Sequence, residues 1–279
     1  MRKVDAGLIT QAVARLCVLA NTNLPEDVRQ CINAHRAAED WPAAASALDQ
    51  IIKNYQLAQA ESIPICQDTG VVCVFLEIGQ EVQIVGDLNQ AVNEGVRIGY
   101  KNGYLRGSVV RDPLDRVNTK DNTPAMIYLE LVPGSEIHLN VAPKGFGSEN
   151  MSRIKMLKPS DGVEGVKEFV LETIELAGPN PCPPIVVGVG VGGSFDKSAL
   201  LAKKALMRPL DKRHEQPSYA ALECELLEAI NALGIGPQGF GGRTTALAVN
   251  IEYAPTHIAS LPCAVNLNCH VARHSHEVI

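Results

Sequence analysis

The chain has 279 residues, of which 46% are hydrophobic, 20% charged and 4% aromatic, a composition typical of a soluble globular protein with an aliphatic core. The formal net charge of −6 argues against a nucleic-acid partner, which would need a basic face, but leaves room for an anionic substrate held by a few local arginines. No apolar run approaches the roughly 18 residues of a membrane span, so no membrane association is expected. The polar N-terminus does not resemble a signal peptide, and the eight cysteines are therefore expected to stay reduced in a cytoplasmic protein.

The first part of the chain predicts a helical N-terminal portion over residues 1–61. Apolar residues recur at spacings of three and four over 7–20, 24–37 and 40–61, which is the pattern of one helix face. The composition shifts near residue 62, where a mixed body begins, but nothing marks the N-terminal portion as an independent domain. We therefore expect one domain over 1–279.

Beyond residue 62, apolar runs alternate with helical patterns. The predicted strands cover 71–78, 124–132, 136–142, 184–191, 243–253 and 258–265. The predicted helices cover 87–100, 160–177, 194–207 and 218–233. This order predicts an α/β fold of the mixed α+β type, in which mixed sheets flanked by helices follow the helical N-terminal segment.

Two connecting segments and the C-terminal residues allow further predictions. Pro133-Gly134-Ser135 joins two predicted strands and indicates a hairpin. Residues 104–125 hold many charged and amide side chains with little periodicity, and a loop of that length inside a compact domain is usually functional. The C-terminal residues around His274 and His276 are expected to form a solvent-exposed tail.

Three cysteines stand out because each lies in a polar segment typical of a loop. Cys66 begins Cys66-Gln67-Asp68-Thr69-Gly70, Cys182 lies between prolines, and Cys269 follows Asn266-Leu267-Asn268. Structural zinc sites usually show paired C-x-x-C spacing, which is absent here. A [4Fe–4S] cluster accepts ligands from separated loops, and with only three cysteines one iron is open to act as a Lewis acid on a hydroxyl and a carboxylate. On spacing alone, ordinary structural thiols are the alternative.

A glycine run offers a second hypothesis. Residues 188–193 satisfy G-x-G-x-x-G after a predicted strand and before a predicted helix, which is the dinucleotide-binding fingerprint. The following segment, 207–217, is charged and bounded by proline, so it lacks the second strand that such a unit needs. The alternative is a tight strand-to-helix turn.

Several charged residues suit a site for a dicarboxylate. Arg106 and Arg111 are candidates for bidentate binding of carboxylates, or else solvated loop charges. Asp68 is a candidate for proton transfer or for orienting a base, or else a turn-forming carboxylate. Among the histidines, His257 and His270 are favoured by their positions before the last predicted strand and directly after Cys269.

A set of motifs then occurs in one order along nearly the whole chain. They are Cys66–Gly70, Asp112-Pro113-Leu114, Asn118–Ala125, Lys144–Ser152, Gly188–Ser194, Gly234–Gly239 and Ala264–His270. In this order they resemble the class I fumarases, the oxygen-sensitive iron–sulfur hydro-lyases that include fumarase and L-tartrate dehydratase. The match is to the N-terminal half of the single-chain enzymes or to the alpha subunit of the two-chain forms.

The resemblance implies a cofactor and a set of site residues. A [4Fe–4S] cluster would be held by Cys66, Cys182 and Cys269, with Cys263 the rival for the third ligand. Cys269 is preferred for its Asn-x-x-Cys-His context. The residues implied in substrate binding or catalysis are Gln67, Asp68, Arg106, Gly145, Gly147 and His257.

The resemblance also implies a partner. In the family the other half supplies further substrate-binding arginines, a lysine and the threonine usually assigned as the base. Because this chain ends soon after Cys269, it is expected to need a beta subunit for activity. The expected assembly is a hetero-oligomer, in which two alpha subunits can also pair with each other.

The function implied is that of the alpha subunit of a two-subunit [4Fe–4S] fumarate hydratase, which hydrates fumarate reversibly to L-malate. Fumarate is preferred because 122–125 and 144–150 look more like fumarases than like tartrate dehydratases. The alternatives are the alpha subunit of an L-tartrate dehydratase or a mesaconate hydratase, or a non-catalytic iron–sulfur protein.

Overall fold

A computed structural model describes residues 1–279, and the contacts within the chain group into two compact units. The first unit comprises Met1–Pro25, Asn54–Phe146 and Arg273–Ile279, and the second comprises Glu26–Lys53 and Gly147–Ala272. Each unit has its own four-stranded sheet and its own hydrophobic core. The expectation of a single hydro-lyase domain over 1–279 stays a prediction.

Helices and strands are mixed throughout, which confirms the predicted fold class. The helices are α1 Ala6–Thr22, α2 Glu26–Ala38, α3 Pro42–Glu61, α4 Leu88–Asn102, α5 Phe146–Glu149, α6 Gly162–Ala177, α7 Phe195–Ala205 and α8 Pro217–Ala232. The strands are β1 Arg2–Asp5, β2 Val71–Gly79, β3 Val82–Val85, β4 Met126–Val132, β5 Ile137–Lys144, β6 Arg153–Leu157, β7 Ile185–Gly192, β8 Ala246–Ala254, β9 Leu261–Asn268 and β10 Ser275–Val278. No helix is both long enough and apolar enough to cross a membrane.

The first unit is built around β2, which is buried along nearly its whole length. Its sheet has the order β10-β5-β2-β4, and alternate residues of β2 and β5 face α1 and α4 to form the core. The two helices lie close together because glycines on α4 face α1. A Cβ added at Gly95 would lie 2.7 Å from the Thr10 carbonyl oxygen, and one at Gly99 would lie 2.8 Å from that of Ala14.

The predicted hairpin between β4 and β5 is wrong. β2 lies between these two strands, parallel to β4 and antiparallel to β5. The Pro133-Gly134-Ser135 connection passes the end of β2, where the Gly79 amide donates to the Glu136 carbonyl and that of Glu81 donates to the Gly134 carbonyl. The central position pairs both edges of β2 with neighbouring strands, while α1 and α4 cover one of its apolar faces.

The second unit has the sheet order β6-β9-β7-β8, with β7 parallel to β8 and antiparallel to β9. Valines of β7 face a core formed with α6 and α8, whereas α7 lies against the glycines of the same strand. A Cβ at Gly188 would lie 2.1 Å from the Ala202 carbonyl oxygen, and one at Gly190 would lie 2.0 Å from that of Ser198. The glycines therefore allow the backbone of a helix to approach the backbone of a strand.

The long elements predicted from periodicity are confirmed, whereas four short strands, β1, β3, β6 and β10, were not predicted. β10 corrects the expectation of an exposed tail around His274 and His276, because Ser275–Val278 pairs antiparallel with β5. Its side chains alternate between half-buried and exposed, so it carries no apolar signal. The last predicted strand, 258–265, is shifted along the chain in the structure: β9 runs from Leu261 to Asn268 and so ends next to Cys269.

Candidate active site

The segment from Cys66 to Gly70 leads directly into β2, and its backbone is held by side chains of the first unit. The Tyr100 hydroxyl lies 2.6 Å from the Thr69 carbonyl oxygen and 3.0 Å from that of Gly70. The Asn122 amide nitrogen also donates to the Gly70 carbonyl, at 3.1 Å. Gly70 itself has φ +80°, and a Cβ there would lie 2.7 Å from the Lys144 nitrogen. Only glycine fits this position.

Cys66 and Gln67 present polar atoms beside one another at the start of this segment. Cys66 is partly exposed and Gln67 is exposed. The Asp68 amide lies 3.4 Å from the Cys66 sulfur, and that sulfur is also 3.4 Å from Gln67 Oε1. The Cys66 sulfur therefore lies between a backbone amide and a side-chain amide oxygen.

Asp68 links two loops of the first unit. Its Oδ1 accepts from the Gly70 amide at 3.0 Å, and its Oδ2 accepts from the Phe146 amide at 2.9 Å. A Cβ at Gly145 would lie 3.3 Å from Asp68 Oδ2, so this glycine lets the carboxylate approach. The structure therefore brings the predicted site residues Asp68 and Gly145 together, and the carboxylate also closes a turn.

Arg106 lies in the loop 104–125, which is a loop in the structure as predicted. Its amide donates to Thr69 Oγ1 at 2.9 Å, and its carbonyl oxygen lies 3.1 Å from the same hydroxyl oxygen. The guanidinium is exposed and makes no hydrogen bond or ion pair within the chain. The fold thus fixes the backbone of Arg106 beside the Cys66 segment and leaves its charge available to a carboxylate.

Cys182 contacts His270, the residue after Cys269, in the second unit. The His270 amide lies 3.4 Å from the Cys182 carbonyl oxygen, and His270 Nδ1 lies 3.0 Å from it. Gln238 completes the contact, with Nε2 donating to the Pro183 carbonyl at 2.8 Å and lying 3.2 Å from His270 Nδ1. Cys182 and Gln238 both have φ near +55°, at 55° and 54°. A non-glycine residue in this region marks each of these two turns as strongly constrained.

His257 and Gly147 lie elsewhere in the second unit. His257 is exposed in the turn between β8 and β9, and its Nδ1 accepts from the Ala259 amide at 3.2 Å. The neutral ring therefore carries its proton on Nε2. Gly147 is exposed within α5, with a Cβ position 4.0 Å from the Asn180 carbonyl oxygen. No contact in the structure joins these two residues.

The cysteines differ in burial in a way that bears on metal binding. None is in a disulfide. Cys263 is buried in β9, and burial raises the pKa of its thiol to about 12, which disfavours the thiolate that a metal requires. Cys182 is exposed and Cys66 and Cys269 are partly exposed, so these three suit a cluster better than Cys263 does.

The donor chemistry of the three cysteines fits an iron–sulfur cluster, which takes thiolates from loops. No group of three or more His, Cys, Asp or Glu side chains is arranged as a metal site in the structure. Cys66 belongs to the first unit, and Cys182 and Cys269 belong to the second. Shared ligation by these cysteines stays a prediction.

The glycine run at 188–193 has a structural explanation. Two of its glycines let α7 pack against β7, and a Cβ at Gly192, where φ is +86°, would lie 2.1 Å from the Ala254 carbonyl oxygen. Close packing accounts for these positions without a nucleotide. This agrees with the alternative of a tight strand-to-helix turn.

Three residues that hold the Cys66 segment were not among the predicted site residues: Tyr100, Asn122 and Arg273. Asn122 lies in one of the motifs, so its position was marked although its contact was not. Tyr100 follows the apolar pattern of α4 and resembles a core residue. Arg273 has no sequence signal at all, because it follows Val271 and Ala272 near the C-terminus.

The comparisons with known proteins identify the family. The family model described as fumarate hydratase (Fumerase) matches residues 10–278. A chain from Methanocaldococcus jannaschii named "Putative L(+)-tartrate dehydratase subunit alpha" is 46% identical over 268 residues, which is 94% of each chain. Chains named "L(+)-tartrate dehydratase subunit alpha" from Escherichia coli (strain UTI89 / UPEC) and Shigella boydii serotype 4 are each 34% identical over 265 residues, covering 94% of this chain and 87% of theirs. The protein belongs to the fumarate hydratase family, as the resemblance of its motifs indicated.

Proposed function

We propose that the chain is the alpha subunit of a hydro-lyase that adds or removes water at C2 and C3 of a small dicarboxylate. The observation that carries the proposal is the conjunction of the family with the Cys66–Gly70 segment. That segment carries a thiol, an amide and a carboxylate, and its Thr69 hydroxyl binds the backbone of Arg106, whose exposed guanidinium makes no ion pair within the chain. A protein that merely stored a cluster would need the cysteines alone.

Two substrates are proposed on different grounds. L(+)-tartrate is the first, because relatives at 46% and 34% identity carry the name of a tartrate dehydratase subunit. Fumarate is the second, because the family model carries the name of fumarate hydratase and because 122–125 and 144–150 are more like fumarases. Mesaconate is the third substrate to assay, on the resemblance alone.

A [4Fe–4S] cluster held by Cys66, Cys182 and Cys269 would supply Lewis-acid polarisation of the hydroxyl that is lost or gained. Arg106 binds one carboxylate of the substrate, and Gln67 and the Gly145 backbone orient it beside Asp68. His257 and Asp68 serve proton transfer, the imidazole with a proton on Nε2 and the carboxylate through Oδ2. The beta subunit contributes the base that moves the C3 proton.

The test is an anaerobic assay of the chain co-expressed with a family beta subunit and reconstituted with iron and sulfide. Oxaloacetate formation from L(+)-tartrate, L-malate formation from fumarate and hydration of mesaconate are measured for the complex and for each subunit alone. Turnover of one substrate, seen only with the complex, is expected. A fully loaded complex that converts none of the three substrates would rule out the hydro-lyase role.

Arg106 provides the sharpest variant for the substrate. Arg106→Gln is expected to raise KM for the dicarboxylate by about 10- to 100-fold, the effect of losing a hydrogen-bonded charge pair. The matched control is Arg116→Gln, an exposed arginine of the same loop whose side chain only approaches the Pro113 carbonyl, at 3.4 Å. Equal KM values for the two variants would remove Arg106 from substrate binding.

A further inference from the structure

Arg273 is a buried arginine that no role so far explains. It is only 4% exposed, and it begins the C-terminal segment of the first unit. Its Nε donates to the Pro143 carbonyl at 3.2 Å, and its Nη2 donates to the Asp68 carbonyl. Its Nη1 is buried and has no hydrogen-bond partner.

The two carbonyls that Arg273 binds belong to two different loops. Asp68 lies in the segment that carries Cys66 and Gln67, and Pro143 precedes the Lys144-Gly145-Phe146 turn at the end of β5. The Asp68 carboxylate reaches the Phe146 amide, so the two loops are also joined on a second side. One guanidinium and one carboxylate together close a ring of hydrogen bonds between them.

The chemistry of the guanidinium matters here because no carboxylate forms an ion pair with Arg273. Burial of an unpaired charge is costly, and a packed apolar side chain would fill the same volume at lower cost. Arginine offers a planar fork that reaches two acceptors at once, which the ammonium of lysine cannot reproduce. The buried Nη1, which has no partner among the protein atoms, adds to the cost of burying this charge.

We propose that Arg273 is a positioning residue of the site, which fixes Asp68 and the Gly145 turn relative to each other. It does this through the backbone, so that the Asp68 carboxylate and the Gly145 amide face the substrate in one arrangement. The inference rests on the proposed function, because its catalytic consequence requires a reaction at Asp68. The clamp itself, the pair of hydrogen bonds from Arg273 to the two loops, can be measured without that reaction.

The experiment compares Arg273→Lys with Arg15→Lys in the full chain bound to its beta subunit. Arg15 is the matched control, because it is exposed and pairs at 2.6 Å with Glu277, in the same C-terminal segment. The first measurement is amide hydrogen exchange of the peptides covering 66–70 and 144–147. Arg273→Lys is expected to speed exchange in both peptides by about 10- to 100-fold, the factor for one lost hydrogen bond to a charged group, with no change in the control.

The second measurement separates positioning from a structural role. In Arg273→Lys, kcat is expected to fall by about 10- to 100-fold. KM and iron content are expected to stay within about twofold of the control, and the melting temperature within a few degrees of it. Unchanged exchange in the two peptides would overturn the proposal, and so would faster exchange throughout the first unit with loss of iron. If the wild-type complex converts no substrate, the proposed function fails, and the exchange result still decides whether Arg273 clamps the loops.

Discussion

Replacing Glu223 with glutamine is expected to destabilise the second unit by about 3 kcal/mol, at the lower end of the range for a broken buried ion pair. Glu223 is fully buried on α8, and it pairs with Arg208 in the connection between α7 and α8. Its oxygens also accept from the Ile251 amide at 2.8 Å and from the His214 amide at 3.0 Å. The side chain therefore ties the helix, the connection and β8 together.

The magnitude follows from what glutamine leaves unpaired. Both carboxylate oxygens of Glu223 accept hydrogen bonds, from Arg208, Ile251 and His214. Glutamine has only one acceptor oxygen. Its NH2 group therefore faces at least one N–H donor that has lost its acceptor. Arg208 keeps Glu252 as a partner at 3.1 Å, which is why the lower end of the range applies. The volume of the side chain is unchanged, so no cavity contributes.

Urea unfolding measures the change as a shift of the midpoint at constant m-value. The control is Glu228→Gln, an exposed position on the same helix, which is expected to change the free energy of unfolding by less than about 0.5 kcal/mol. If the two variants unfolded at the same urea concentration, the Arg208–Glu223 pair would not be holding the connection.

Three further predictions concern other elements. Gly190→Ala is expected to cost about 1–3 kcal/mol or more, because its Cβ would overlap the Ser198 carbonyl, and unchanged stability in thermal unfolding would contradict the close packing of α7 on β7. Tyr100→Phe is expected to cost about 1–3 kcal/mol and to speed amide exchange in 66–70, since the Thr69 carbonyl loses its donor; exchange at the wild-type rate would count against it. Burial lowers the pKa of His35 below 6.5. The free energy of unfolding is therefore expected to be highest above pH 6.5 and to fall as the pH drops below it, because the unfolded chain then binds the proton more readily. A His35→Gln variant that loses stability over the same pH range would refute this origin.

Helices and central strands could be predicted because burial imposes a period on their residues. α1 has apolar residues at spacings of three and four because one of its faces is buried. β2 has a continuous apolar run because both of its faces are buried. β10 could not be predicted, because a half-exposed edge strand of four residues needs no apolar pattern. The order of strands was also beyond the local pattern: Pro133-Gly134-Ser135 resembles a hairpin turn whether or not another strand lies between its neighbours.

The site shows the same division between local chemistry and distant contacts. The Cys66–Gly70 segment could be proposed as a site from the sequence because it holds a thiol, an amide, a carboxylate and a hydroxyl within five residues. The preference for Cys269 over Cys263 agrees with burial, which a sequence does not state. Arg273 could not be predicted as a site residue from the sequence. Its hydrogen bonds go to the backbone carbonyls of Asp68 and Pro143, which lie far away in the chain, and every residue has a carbonyl.

The central claim is that Cys66, Cys182 and Cys269 together hold one cluster in the complex with the beta subunit. The most direct measurement is the iron and sulfide content of anaerobically reconstituted complexes carrying a serine at each of these positions in turn. The controls carry a serine at Cys224, which is exposed on α8, or at the buried Cys263. We predict about four irons per alpha subunit in the wild type and the controls, and loss of the intact cluster in each of the three variants. A variant at Cys66, Cys182 or Cys269 that kept all its iron and sulfide, or a Cys263 variant that lost them while remaining folded, would contradict the assignment.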